Sequence, residues 1–193
     1  MSPPRAAVTS AAPADRLVAA ADGSSLCNPG PAGWAWFIDS TRWAAGGWPH
    51  GTNNMGELMA VLDLLRQSRG LDRPLHVVCD SQYAINVCTT WLPGWKARSW
   101  RKADKKPILN LDLIQALDAE LHHRRVTFEW VRGHAGHPLN ERADALARAA
   151  AEAFQRGARP DTGPGLAALP RIEPVARPAP AAPAPPTQPA LFD

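Results

Sequence analysis

The stretch Leu75-His76-Val77-Val78-Cys79-Asp80-Ser81-Gln82-Tyr83 fixes the fold class. Five residues dominated by apolar and β-branched side chains read as a buried strand. An acid stops the run, and Ser81 follows in the position where a hydroxyl caps a helix. A strand passing through a carboxylate directly into a helix, expected here through about Cys88, is the juncture of an α/β layer fold. A second run of this kind lies upstream, where Leu17–Ala21 is a short continuous apolar segment that ends on Asp22. Two buried strands, each closing on an aspartate, would place those aspartates side by side if the strands are neighbours. In open α/β sheets, ligands collect beyond such strand ends.

The remaining elements follow outward from these two. Asn28-Pro29-Gly30-Pro31 is a turn. Trp34–Ile38 and Arg42–Trp48 read as two strands joined at Asp39-Ser40. Leu58, Val61, Leu62 and Leu65 recur at helical spacing, giving one buried face of a helix that Glu57 opens. Asn110 stands where it would cap another helix, with Leu113, Ile114, Leu117 and Leu121 facing inward. Val126, Phe128 and Trp130 alternate as in a half-buried strand. Ala143, Leu146, Ala147 and Ala150 form the stripe of a closing helix that carries Asp144 near its start. The order is β-β-β-α-β-α-α-β-α, an α/β fold with a mixed sheet.

Composition sets the boundaries. The chain has 193 residues and 20 prolines, and the prolines crowd its ends. Residues 1–15 and 157–193 are rich in Ala and Pro without periodicity and are expected to form a disordered leader and an extended tail. The folded unit is expected at 16–156. Cys27, Cys79 and Cys88 make an odd count without metal-ligand spacing, which suits a reducing cytoplasm. No apolar stretch reaches the length that spans a membrane, and no signal-peptide pattern stands at the start. The net charge of +3 argues only weakly for an anionic partner.

Position singles out four acids: Asp22, Glu57, Asp80 and Asp144. Acids at strand and helix ends are commonly caps and turn residues, and periodicity alone does not bring these four together. Packed carboxylates repel one another and take up protons unless a cation lies among them. Hard oxygen donors suit Mg²⁺, or Mn²⁺ as a second choice. Two such ions about 4 Å apart can hold the attacking and leaving oxygens of a phosphodiester.

The words around the acids carry a resemblance. These are Asp22-Gly23-Ser24-Ser25-Leu26-Cys27-Asn28-Pro29-Gly30-Pro31, Thr52-Asn53-Asn54-Met55-Gly56-Glu57-Leu58-Met59-Ala60 and Asp80-Ser81-Gln82-Tyr83. Two more follow, Ala103-Asp104-Lys105-Lys106-Pro107 and Gly133-His134-Ala135-Gly136-His137-Pro138 with Asn140-Glu141-Arg142-Ala143-Asp144. In this order they closely resemble the bacterial type 1 ribonuclease H family across residues 16–152. The resemblance implies a ribonuclease H-like fold, a five-stranded mixed sheet flanked by helices. It implies an endonuclease that hydrolyses the RNA strand of RNA–DNA hybrids with two metal ions, leaving 5′-phosphate and 3′-hydroxyl ends. It makes Asp22, Glu57, Asp80 and Asp144 the metal-binding set and His134 a mobile histidine that moves protons and helps product leave. A histidine on a flexible loop among glycines is compatible with that role. His137 is expected to be structural or exposed.

Between residues 91 and 106, Trp91, Trp95 and Trp100 are interleaved with Lys96, Arg98, Arg101, Lys102, Lys105 and Lys106, opposed only by Asp104. This is a phosphate footprint with aromatic surfaces, and the resemblance implies a basic protrusion that grips the DNA strand. Trp91 is expected to pack, with Trp95 and Trp100 partly exposed. Asn28, Asn54 and Gln82 are neutral amides near the acids and suit ribose hydroxyls or base edges. Thr52 and Asn110 match positions that hold a DNA phosphate in relatives. His50 stands nearby, where a basic residue, often Arg, is expected. Cys27 replaces a common Gly, and Met55-Gly56 replaces a common basic–hydrophobic pair. The chain closes on Gln188-Pro189-Ala190-Leu191-Phe192-Asp193. Its Gln188, Leu191 and Phe192 are similar to a bacterial peptide that docks on the sliding clamp. The chain is expected to be a monomer. Two other readings stand beside the nuclease: a hybrid-binding module without catalysis, and a different nuclease of the same fold.

Overall fold

A computed structural model describes residues 16–166. Five strands form one mixed sheet: β1 (Leu17–Ser25), β2 (Gly30–Asp39), β3 (Arg42–Gly51), β4 (Leu75–Cys79) and β5 (Val126–Trp130). Their spatial order is β3-β2-β1-β4-β5. The first three strands form an antiparallel meander, whereas β4 and β5 join in parallel beside β1. β1 and β4 are neighbours, the condition under which Asp22 and Asp80 come side by side.

Helix α1 (Asn53–Gln67) packs on one face of the sheet with α4 (Leu111–Leu121), and α5 (Pro138–Gln155) crosses the other face over β1, β2 and β3. The core on the α1 side combines Leu58, Val61, Leu62 and Leu65 with Trp36, Val77, Ile114 and Leu117. Alanines dominate the α5 side, where Ala143, Ala147 and Ala150 meet Ala20, Ala35 and Ala45. Small residues let this helix approach the sheet closely. At Gly33 a Cβ would crowd the α5 backbone at Ala151 N, at 2.8 Å.

Several elements differ from the sequence expectation, and β2 begins at Gly30, inside the stretch read as a turn. Asp22 does not end β1. The strand continues to Ser25 because β2 pairs with it as far as Ser25↔Ala32, while the parallel pairing with β4 stops at Ala20↔Val78. Asp22 therefore lies just past the point where β4 leaves it. The helix after Ser81 does not stop near Cys88. It runs as α2 (Gln82–Asn86), a π turn at Val87–Trp91, and α3 (Leu92–Ala97). Asn110 precedes α4 but makes no side-chain cap. It adopts a left-handed backbone at φ 57°, which asparagine tolerates better than most residues, and its side chain lies beside Tyr83.

The folded unit also extends past residue 156. Ala45 N donates to Thr162 O at 3.2 Å and Gly165 N to Trp43 O at 2.9 Å, so residues 158–166 form a strap along the exposed edge of β3. Leu166 N donates to Gln67 Oε1 at 2.8 Å and ties the strap to the end of α1. No helix among the described residues is long and apolar enough to cross a membrane.

Candidate metal centre and nucleic-acid interface

Four elements bring the acids together. β1 presents Asp22, β4 delivers Asp80 at its C-terminal end, α1 carries Glu57 one turn in, and α5 carries Asp144. One carboxylate oxygen from each of Asp22, Glu57 and Asp80 lies within 4.8 Å of the others. Asp144 stands at the rim, near enough for its charge to act on Asp22, and His134 Nδ1 lies 3.8 Å from its Oδ2.

Local sequence explains the convergence. Thr52 Oγ1 accepts from Met55 N at 3.2 Å and caps α1, aiming its first turns at the end of β1. Gly23 and Gly56 let the two backbones touch. A Cβ on Gly23 would fall 2.9 Å from Gly56 Cα, and closer still to Glu57 N. On the other side, Ser81 Oγ accepts from Ala84 N at 3.2 Å and starts α2 immediately after Asp80. His137 Nδ1 accepts from Asn140 N at 3.4 Å, capping the helix that holds Asp144 and giving this histidine the structural role expected of it.

The electrostatics are those of buried carboxylates that repel one another. Burial, reinforced by Asp80 and then Asp144, pushes the Asp22 carboxyl up to about 8. Burial, with Asp22 and Asp80 behind it, also holds the Glu57 carboxyl well above the usual range. Asn53 Nδ2 donates to Glu57 Oε1 at 3.2 Å, yet Glu57 Oε2 is buried without a hydrogen-bond partner among the described residues. A buried orphan oxygen is costly unless something binds it. Three converging hard oxygens, on a set of carboxylates that also holds the buried, unpartnered Glu57 Oε2, fit a divalent cation of the Mg²⁺ or Mn²⁺ type.

Beside the acids, a cleft of about 410 Å³ runs between α1 and the basic segment, lined by Asn54, Tyr83, Trp91, Trp95, Arg98 and Lys102 among others. Trp91 and Trp95 are arranged opposite to expectation. Trp95 is buried, 9% exposed, whereas Trp91 is 37% exposed and leans on it at 5.4 Å between ring centroids. Trp95 thus forms the floor of the cleft rather than a free stacking surface. Trp100 is half-buried against the core. Lys105 and Lys106 are exposed on the turn that follows, with Lys106 Nζ 3.0 Å from Asp104. Asn110 lies near the cleft, its side chain beside Tyr83.

Asn28 sits on the loop after β1, where its Oδ1 accepts from Asn53 N at 3.3 Å and joins that loop to the start of α1. Gln82 is exposed at the start of α2, beside Asp80. The amides and the acids therefore open on one side of the molecule, around the C-terminal end of β4 and the N-terminal end of α1. Reading the sequence did not single out Asn53, Tyr83, Trp130 or the contact of Gly133 with Asp80. Asn53 and Tyr83 belong to the motif words, but only the fold shows their partners.

The RNase H family model matches residues 14–152. The chain is 50% identical over 151 residues to Ribonuclease H of Tropheryma whipplei strain Twist, covering 78% of this chain and 94% of that protein. It is 46% identical over 140 residues to Ribonuclease H of Cupriavidus necator, covering 70% and 94%. Among solved structures it resembles LC9-RNase H1, described as a type 1 RNase H with the type 2 active-site motif. That likeness has a TM-score of 0.64 at 28% identity and covers 83% of this chain and 81% of that one. RNase H1 of the halophilic archaeon Halobacterium salinarum is similar at TM-score 0.52 and 27% identity, over 71% and 98%.

Proposed function

The chain belongs to the RNase H family and is an endoribonuclease acting on RNA–DNA hybrids, and we propose that Asp22, Glu57, Asp80 and Asp144 hold the divalent cations its chemistry uses. The observation that carries this is the convergence of Asp22, Glu57 and Asp80 oxygens within 4.8 Å of one another, with Glu57 Oε2 buried and unpartnered among the described residues. Mg²⁺ is the cation we assign, with Mn²⁺ able to replace it, and two ions act during cleavage.

When bound, the cations polarise the scissile phosphate and make water a stronger acid. The protein supplies the rest. Asp22, Glu57 and Asp80 hold fixed negative charge at one point of the surface. His134, 77% exposed on its loop and beside Asp144, carries protons between the site and solvent and assists product departure. Glu57, Asn28, Asn54 and Gln82 lie where the RNA ribose can be read, since a 2′-hydroxyl both donates and accepts. Trp91, in the wall of the cleft, acts with Trp100, Lys105 and Lys106 on the DNA strand. Thr52 and Asn110 bind its phosphate, and Trp95 acts as the packed floor of that surface.

A labelled RNA strand presented to the enzyme in a hybrid, in duplex RNA and alongside duplex DNA tests this reading. Cleavage of the hybrid RNA alone is expected, with 5′-phosphate and 3′-hydroxyl products. Binding without cleavage would favour the non-catalytic module, and cleavage of DNA would favour another nuclease of this fold.

We assign the enzyme to the cytoplasm as a monomer that serves DNA replication. Gln188, Leu191 and Phe192 lie outside the described residues, and we assign them to docking on the sliding clamp. A short apolar motif on a tether suits insertion into a groove. Capture of the clamp by a tail peptide, lost in a Leu191→Ala, Phe192→Ala peptide, is the expected result. Equal capture by both peptides would remove the assignment.

A further inference from the structure

Trp130 is out of keeping with its strand. Val126 and Phe128, on the same face of β5, pack against the core, whereas Trp130 is 51% exposed. Its ring is nevertheless fixed at one atom, since Nε1 donates to the backbone carbonyl of Asp80 at 3.0 Å. That carbonyl belongs to the residue directly after β4, whose last residue is Cys79.

The neighbouring peptide groups are held as well. Val131 N donates to Cys79 O at 3.1 Å, and Ser81 N donates to Cys79 Sγ at 3.3 Å. One step further along the chain, Gly133 lies directly against the Asp80 carboxylate. A Cβ at Gly133 would meet Cγ of Asp80 at 3.3 Å, with Oδ2 nearer still. The end of β5 and the loop after it thus touch Asp80 at both its main chain and its side chain.

The geometry points to Trp130 as a positioning residue for Asp80, its indole N–H fixing the peptide that aims this carboxylate at Asp22 and Glu57. The inference rests on the assignment of Asp80 to the metal-binding set. Partners that orient a metal ligand matter through the affinity and activity they preserve. Exposure of the ring gives no packing reason for a tryptophan here, whereas its N–H reaches Asp80 from a strand end that no side chain of Phe or Leu could use in the same way.

The test is Mn²⁺ titration of the full chain without substrate, followed by steady-state cleavage of a hybrid, for wild type, Trp130→Phe and Trp130→Ala. Both variants are expected to bind Mn²⁺ about tenfold more weakly. Their kcat is expected to fall at limiting Mn²⁺ and recover at high Mn²⁺, with KM for the hybrid within about twofold of wild type. Wild-type Mn²⁺ affinity in Trp130→Phe would overturn the inference. So would a raised KM with unchanged Mn²⁺ affinity, which marks a substrate contact. Asp80→Asn is titrated alongside. If it binds Mn²⁺ and cleaves as wild type does, the assignment of Asp80 fails, a result distinct from failure of the Trp130 contact.

Discussion

Gly23 and Glu57 meet backbone to backbone: a Cβ on Gly23 would stand well inside 3.0 Å of the Glu57 amide nitrogen. Neither β1 nor α1 can yield without moving an acid of the site, because Asp22 precedes Gly23 and the crowded nitrogen is that of Glu57. Gly23→Ala is therefore expected to lower stability by about 1–3 kcal/mol, the usual cost of forcing atoms into a packed region. Mn²⁺ affinity should weaken in the same variant. Urea unfolding and Mn²⁺ titration check the two effects.

Stability of the metal-free protein should depend on pH with a definite sign. The folded state holds the Asp22 carboxyl at about 8, against an ordinary value of 3.8, so between these values the folded chain binds more protons than the unfolded one. Stability is then fully present below about pH 4 as far as this group is concerned, and is lost as pH rises towards 8. Glu57, also raised, acts in the same direction. Thermal melts in chelator across this range should show a falling midpoint, and Mg²⁺ should recover more stability at the upper end than at the lower. Asp22→Asn should flatten the dependence in chelator while abolishing activity.

Trp91 and Trp95 should separate grip from packing. Trp95 is 9% exposed and Trp91 is 37% exposed. Trp95→Ala is expected to cost about 3–5 kcal/mol of stability, as for a large buried aromatic. Trp91→Ala should cost much less and instead raise KM for the hybrid. Urea unfolding and steady-state kinetics on both variants distinguish these outcomes. A large stability loss at Trp91 with unchanged KM would assign its ring to the core.

The strap over β3 predicts a sharp difference between two truncations. Ending the chain after Arg156 removes the bonds of Thr162 and Gly165 to β3 and exposes its edge. Ending it after Leu166 keeps them. The shorter chain is expected to melt several degrees lower, since about 1 kcal/mol shifts the midpoint by roughly 2–4 °C at this size. It should also self-associate more readily, because an open edge invites strand pairing. The longer one should melt as the full chain does.

Particular residues show what the sequence discloses and where it stops. The runs before Asp22 and Asp80, and the Ser81 cap, mark the two central strands because continuous burial and capping are local properties. The helix stripes at Leu58–Leu65 and Ala143–Ala150 are legible for the same reason. The places of Trp91 and Trp95 are not, because the π turn at Val87–Trp91 breaks the 3.6-residue spacing by which a helix face is read. Alternation in β5 shows which residues share a face, but not that the core ends before Trp130. The strap reads as tail because its Pro and Gly residues form no periodic pattern. Its order comes from hydrogen bonds to an edge strand that only the fold reveals. In the site, the four acids are legible through their words, whereas the partners of Glu57 and Asp80 arise from contacts between distant segments.

The most direct test of the metal centre is the rate of RNA cleavage in a labelled hybrid, measured for wild type with Mg²⁺, wild type with chelator, and Asp80→Asn with Mg²⁺. Cleavage in the first reaction alone, with Asp80→Asn folded and still binding the hybrid, is the predicted result. Cleavage that persists in chelator, or an Asp80→Asn rate equal to wild type, would contradict a catalytic cation held by Asp22, Glu57 and Asp80.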